Sequence, residues 1–230
     1  MVGPLILSAS GCVAFLAWAA RGRSSSVFAP SVWRGSADRR EIALTFDDGP
    51  SESTPQLLEL LDNYKIKATF FQCGMHVRRL PEVARAVVAA GHEIGNHTDS
   101  HASLWFQSEL FMRQEIGRAQ DSIFASTGVS PTLFRAPYGV RWPGLGQAQQ
   151  EFGLLGVMWT TIGRDWALPA PQIAERLHSG AVNGAVLCLH DGRERQVKPD
   201  ISATVEGVRE ALPRLIDCGF RFRTVTGIIR

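Results

Sequence analysis

From residue 41 onward, short apolar stretches alternate with stretches of helical periodicity, and that alternation narrows what the chain can fold into. EIALTF, KATFFQCG, HEIGNHT, TLFRAPYG, LLGVMWTTIG, AVLCLHDG and FRFRTVTG read as strands. TPQLLELLDNY, LPEVARAVVAAG, LFMRQEIGRAQDSIFAST, APQIAERLHSG and TVEGVREALPRLIDCG read as the helices between them. Strands joined through helices run parallel, because each crossover returns the chain to the same end of the sheet. An α/β fold follows, with helices outside a parallel sheet that is either closed into a barrel or doubly wound. At 230 residues the chain can bury a full core as one domain.

The first forty residues differ in character. Val2 to Ala20 carries no charge and is close to the roughly 20 residues of a spanning helix. Residues 1–20 therefore read as a signal or membrane-anchor segment, and the Ser/Arg/Gly-rich stretch 21–40 as a linker to a domain at 41–230. That reading places the domain at the cell envelope, anchored or secreted, with membrane association through residues 2–20. The charges oppose it: Arg21 and Arg23 follow the apolar segment and no Lys or Arg precedes it, so the positive-inside rule would keep the domain in the cytoplasm. A net charge of +2 with no basic stripe excludes a nucleic-acid partner. Cys12, Cys73, Cys188 and Cys218 lack CxxC spacing and give neither a zinc cage nor a disulfide framework.

Parallel barrels gather function at the C-terminal ends of their strands. Polar residues stand at five such ends: Asp47-Asp48, His97, Arg135, Asp165-Trp166 and His190-Asp191. In NHTDSH, His97 and His101 are four apart, the spacing at which one helical turn points two imidazoles at one metal. With a carboxylate from another strand end they make a two-His, one-carboxylate site that leaves positions open for water and substrate. One acid of the Asp47-Asp48 pair can serve the metal and the other can take a proton from the attacking water. Gly49-Pro50 reads as the tight turn that lets both acids face one site. Arg135 can hold the base ionised, His190 can act as the opposing acid, and Asp165 can orient that imidazole. Trp166, Trp105, Trp142 and Tyr138 offer aromatic faces suited to sugar rings. RERQVK at 193–198, directly after His190, reads as a solvated loop that could meet an anionic substrate.

TFDDGP, HTDSH, RAPYG, RDW and LCLH, with GHEIGNH and the closing GFRFRTV, resemble in order and spacing the polysaccharide deacetylases, the NodB homology domain, over about residues 40–229. The resemblance implies a distorted (β/α)7-type barrel, a divalent metal (zinc, or cobalt or nickel), and hydrolysis of N-acetyl groups on N-acetylglucosamine units of an acetylated glycan such as peptidoglycan or a chitin-like oligomer. By the same resemblance Asp47 is the general base, and Asp48, His97 and His101 are the metal ligands. Arg135 orients the base, the Tyr138 backbone N–H stabilises the oxyanion, and His190 is the general acid with Asp165 as its partner. Trp166 and Leu187 wall the acetyl pocket. One position departs: where the family often has Asp-x-x-Asp-Trp, this chain has Ile162-Gly-Arg-Asp165-Trp166. Two further readings stand beside this one, a deacylase of a lipid-linked or small N-acyl sugar or linear amide, and a metal-bound carbohydrate-binding pseudoenzyme.

Overall fold

The computed structural model describes residues 3–230. Of the apolar segment expected at 1–20, Met1 and Val2 lie outside the described residues. In chain order the elements are α1 (Gly3–Arg21), β1 (Ser31–Val32), β2 (Glu41–Gly49), α2 (Thr54–Asn63), β3 (Thr69–Gln72), α3 (Gly74–Arg79), α4 (Pro81–Ala89), β4 (Glu93–Asn96) and α5 (Glu109–Thr127). There follow β5 (Leu133–Phe134), a 3-10 turn (Pro137–Gly139), α6 (Leu145–Glu151), β6 (Leu155–Val157), β7 (Thr161–Ile162), α7 (Ala170–Gly180), β8 (Val186–His190), α8 (Ser202–Asp217), β9 (Arg221–Phe222) and α9 (Val225–Ile229).

The strands form one curled, wholly parallel sheet in the order β1-β6-β5-β4-β3-β2-β8-β7, with β9 added to β2. The α/β expectation and the distorted barrel both hold, but the regular βα count does not. The single expected strand LLGVMWTTIG is divided: β6 pairs with β1 and β5, and β7 pairs with β8. Three residues and no helix separate those two edges, so covalent chain crosses part of the seam that hydrogen-bond ladders leave open. FRFRTVTG is likewise divided between β9 and α9.

Side-chain parity organises the layers. On β2, Ile42, Leu44 and Phe46 face the helices and share a core with Leu57, Leu61, Leu187, Leu189, Val208 and Leu212. Ala43 faces the other way, into a smaller interior core with Phe71, Leu133, Val157 and Val186, which α9 closes through Val225 and Ile228. Thr45 and Asp47 continue that inward row toward the strand ends.

Residues 21–40, expected as a linker, are packed instead. The Gly156 N–H donates to Pro30 O at 3.1 Å and the Met158 N–H to Val32 O at 2.7 Å, while the Gly35 N–H donates to Gly184 O at 2.8 Å. Polar, Gly-containing composition hid this because the bonds are made by backbone, which composition does not report. The sheet thus starts at β1, before the expected domain boundary. At the end of α1, Ala19 and Ala20 are buried, while Phe15, Leu16 and Trp18 are exposed. Among the described residues no helix is long and apolar enough to cross a membrane.

Phe46 is fully buried and stacks on Phe70 at 5.0 Å between ring centroids. Phe46→Ala should destabilise the fold by about 3–5 kcal/mol, read as a lower urea midpoint, because the rigid sheet–helix interface cannot collapse into the gap.

Candidate active site

Adjacent residues of a regular strand point to opposite faces, so Asp47 and Asp48 would not share a site in an ordinary β2. A bulge resolves this. Asp47 pairs with Phe71 and Gly49 with Gln72, leaving Asp48 as the extra residue, and Asp48 takes the left-handed conformation at φ 71°. Both carboxylates then line one cleft. The bulge, not the Gly49-Pro50 turn, accomplishes this. Gly49 is needed for a different reason: a side chain there would collide with the Asp191 carboxylate.

His97 and His101 face each other at 5.1 Å between centroids, but no helical turn carries them. They lie on an irregular loop after β4 in which Thr98 (φ 66°) and His101 (φ 54°) are left-handed. Side chains replace the missing helical bonds. Asn96 Oδ1 accepts the Thr98 N–H at 2.9 Å, Glu115 of α5 accepts the Ser100 N–H at 2.9 Å, and Arg78 donates to Asp99 at 2.5 Å.

Asp48, His97 and His101 offer ligand atoms that all lie within 4.8 Å of one another. The fit to a cation is specific. Asp48 Oδ1 is 3.0 Å from His101 Nε2 and 3.3 Å from His97 Nε2, yet it is buried without an aligned hydrogen-bond donor, the situation a cation between the three would relieve. His97 Nδ1 lies 2.7 Å from Arg135 O, which fixes the ring with Nε2 toward the site, and the Glu194 N–H donates to Asp48 Oδ2 at 2.8 Å. Burial opposes ionisation of Asp48, but the two imidazoles outweigh it and hold the carboxyl well below the usual carboxylate range. The set suits a divalent ion with open positions.

A second group, Asp47, Cys188 and His190, also converges within 4.8 Å, and its chemistry is different. Burial, then the Asp47 charge, pushes the Cys188 thiol well above its usual range, so it remains a neutral S–H, 3.5 Å from Asp47 Oδ2. Arg135 Nη1 donates to Asp47 Oδ1 at 2.7 Å. Arg135 is itself fully buried and held on all sides: Nη1 to Thr45 Oγ1 at 2.7 Å, Nε to Val157 O at 3.2 Å, Nη2 to Met158 O at 3.2 Å, with its guanidinium 4.1 Å above the Phe71 ring. The guanidinium is spent on Asp47, which fixes that carboxylate in place at the cleft.

Across the cleft, His190 Nδ1 meets Asp165 Oδ1 at 2.8 Å, and Asp165 Oδ2 accepts the His190 backbone N–H at 3.0 Å and the Thr204 hydroxyl at 2.7 Å. Arg193 donates to Asp165 O at 3.0 Å and to Thr204 at 3.1 Å. Burial lowers the proton affinity of His190, but the charge and hydrogen bond of Asp165 dominate and raise it to about 9. The imidazole is therefore protonated at neutral pH and carries a proton to donate. Trp166, half exposed, stands edge-on to that ring at 5.2 Å. Tyr138 packs edge-on to His101 at 4.9 Å and has a left-handed backbone at φ 58°. Burial, then the Glu194 carboxylate, pushes its phenol up to about 12.

Asp47, Asp48, His97, His101, Tyr138, Trp166, Cys188 and His190 line a cleft of about 840 Å³, ample for a saccharide, while Arg135 and Asp165 stand behind that lining. Leu187 does not join the lining. Since His190 faces in, so do Cys188 and Val186, and Leu187 points outward into the helix-facing core; Cys188 occupies the wall position expected of it. Trp105 packs edge-on and Trp142 at a tilt against Phe106 instead, at 5.1 and 4.6 Å between centroids, outside the cleft lining. Thr45, Cys188 and Thr204 were not singled out from sequence, and Arg193 entered only as the start of the RERQVK loop expected to be solvated, whereas it is turned onto Asp165 and Thr204. Cys188 was accessible from strand parity; the other three act through partners far along the chain.

The family model described as polysaccharide deacetylase matches residues 34–157. A peptidoglycan-N-acetylglucosamine deacetylase of Bacillus cereus strain ATCC 14579 is 36% identical over 86% of this chain and 92% of that protein. A chitooligosaccharide deacetylase of Bradyrhizobium sp. strain ANU 289 is 35% identical over 79% of this chain and 87% of that protein. The crystal structure of the Bc1960 peptidoglycan N-acetylglucosamine deacetylase with 4-naphthalen-1-yl-N-oxidanyl-benzamide superposes with a TM-score of 0.80 at 29% identity, covering 86% of this chain and 91% of that one. The chain belongs to the polysaccharide deacetylase family and is a hydrolase of carbon–nitrogen bonds other than peptide bonds.

Three outcomes follow from the geometry. His190 is in its acid form below about pH 9 and loses it above, so Asp165→Asn should move the alkaline limb of kcat to lower pH by about 1–3 units, measured on metal-loaded enzyme. The same shift adds stability that is complete below the ordinary 6.5 and lost as pH rises through about 9. Zinc at saturating excess should raise the Tm of the wild type by about 5–10 °C and leave that of His101→Ala unchanged, read by calorimetry.

Proposed function

We propose that this polysaccharide deacetylase removes N-acetyl groups from N-acetylglucosamine units of a glycan, with Asp47 as general base and His190 as general acid. One observation carries the reading: a three-ligand group is flanked in a single cleft by a carboxylate clamped to Arg135 and by an imidazole clamped to Asp165. Acid and base held in opposite protonation states are what hydrolysis of an unactivated amide requires, because water must lose a proton while the amine gains one.

Asp48, His97 and His101 would hold a divalent ion, zinc foremost, which when bound polarises the acetyl carbonyl as a Lewis acid. The protein's own groups do the rest. Asp47 takes the proton of the attacking water, and Arg135 holds that carboxylate in place through its Oδ1. The Tyr138 backbone N–H, held in its left-handed turn, donates to the oxygen on which charge develops. His190 gives its proton to the departing amine, and Asp165 holds the ring for that transfer. Acetate and a free glucosamine unit result. Trp166 and Cys188 border the acetyl group, and Tyr138 offers a face to the sugar.

Acetate release from peptidoglycan, chito-oligomers and small N-acetyl sugars tests the assignment directly. Asp47→Asn should lower kcat by about 10²–10⁴-fold while retaining the zinc-induced rise in Tm. Near-wild-type turnover by that variant would remove Asp47 from its role, and failure of the wild type on all three substrate types would remove the reaction itself.

A further inference from the structure

The cleft contains one cation that the chemistry above does not use. Arg21, the last residue of α1, lines it alongside Trp159, Ile162 and Trp166. It lies before residue 34, where the family match begins. An arginine ending a helix would ordinarily be explained by the exposed carbonyls and negative dipole there, but those carbonyls are already occupied. The Gly22 N–H donates to Trp18 O at 2.7 Å, Ser25 Oγ to Ala19 O at 3.0 Å and the Arg141 N–H to Ala20 O at 2.9 Å.

The segment that carries Arg21 is pinned. Arg141, buried, donates Nη2 to Gly22 O and Nη1 to Ser25 O, each at 2.5 Å, and Arg23 donates to Thr160 O. The backbone on both sides of Arg21 is thus fixed to the body, while its guanidinium makes no hydrogen bond or ion pair among the described residues and is solvent-exposed. The other cation of the lining, Arg193, is committed to Asp165, Gly192 and Thr204. The acids of the lining beyond the catalytic pair are Glu194 and Asp200, both from the loop after β8. Asp200 accepts the Ser202 N–H at 2.9 Å, and neither forms an ion pair with Arg21. Ile162, at the position where the family often carries Asp, brings no carboxylate to this wall either.

The geometry points to Arg21 as a specificity residue that pairs with a carboxylate on a sugar ring next to the one being deacetylated. The inference rests on the deacetylase reading of the cleft. It favours glycan strands that bear a free carboxylate, such as peptidoglycan strands stripped of their peptides, over neutral chitin-like oligomers, because a guanidinium fork matches a carboxylate with two parallel hydrogen bonds and has nothing comparable on a neutral ring.

The test compares two soluble saccharides of equal length, one of alternating N-acetylglucosamine and carboxylate-bearing sugars and one of N-acetylglucosamine alone, with the wild type, Arg21→Gln and Arg21→Lys. The wild type should favour the acidic saccharide in kcat/KM. Arg21→Gln should lower the acidic-to-neutral ratio of kcat/KM about three- to tenfold, mainly through KM, with Arg21→Lys in between. One molar salt should shrink the difference between wild type and Arg21→Gln, as screening of an exposed pair demands. An unchanged ratio in Arg21→Gln, or an equal loss on both saccharides, would overturn the assignment. If the wild type released acetate from neither saccharide, the deacetylase reading would fall. Equilibrium binding of the same saccharides to wild type and Arg21→Gln would then decide Arg21 separately, a preference for the acidic one that the variant loses supporting it and equal binding refuting it.

Discussion

The site depends on one irregularity in one strand. Without the extra residue at Asp48, strand alternation would send one of two neighbouring carboxylates into the helix-facing core, where no cation or hydrogen bond waits for it. With it, both acids face the cleft and divide their work according to what each meets. Asp47 meets Arg135 and Asp48 meets two imidazoles. Like-charge repulsion between the neighbours is answered from two directions, by a buried guanidinium on one side and by a ligand set awaiting a cation on the other.

Arg135 makes that arrangement durable. A fully buried arginine is tolerated only when its donors are matched, and here the partners come from β2, from the backbone at residues 157 and 158, and from the Phe71 ring. The guanidinium therefore ties the strand bearing the bulge to the short bridge between β6 and β7, where ladder hydrogen bonds cease. Structural closure and chemical activation share one side chain, so a change of shape at the seam would register as a change in the charge environment of Asp47.

The sequence made the sheet, its parallel sense and the strand-end residues legible, because alternating periodicity and polar residues after apolar runs are local signals. It also carried Asp48, His97 and His101 to a common point through their resemblance to a known pattern. What it did not carry was conformation within the motifs. HTDSH reads as a helical turn by spacing, whereas left-handed residues and side-chain bonds from Asn96 and Glu115 shape it. Leu187 was misplaced because motif matching ignored parity, which His190 alone would have corrected. The packed stretch at 21–40 was invisible because its anchoring bonds are made by backbone atoms with partners more than a hundred residues away.

That packed stretch divides labour along the chain. The strand ends hold the acids, the imidazoles and the buried arginine that converge on the cleft. The N-terminal strap holds none of these groups, yet it reaches the mouth of the same cleft and is fastened there by Arg141. A substitution in the strap would therefore reshape the mouth of the cleft without touching its strand-end groups, which separates what the cleft admits from what its floor can do.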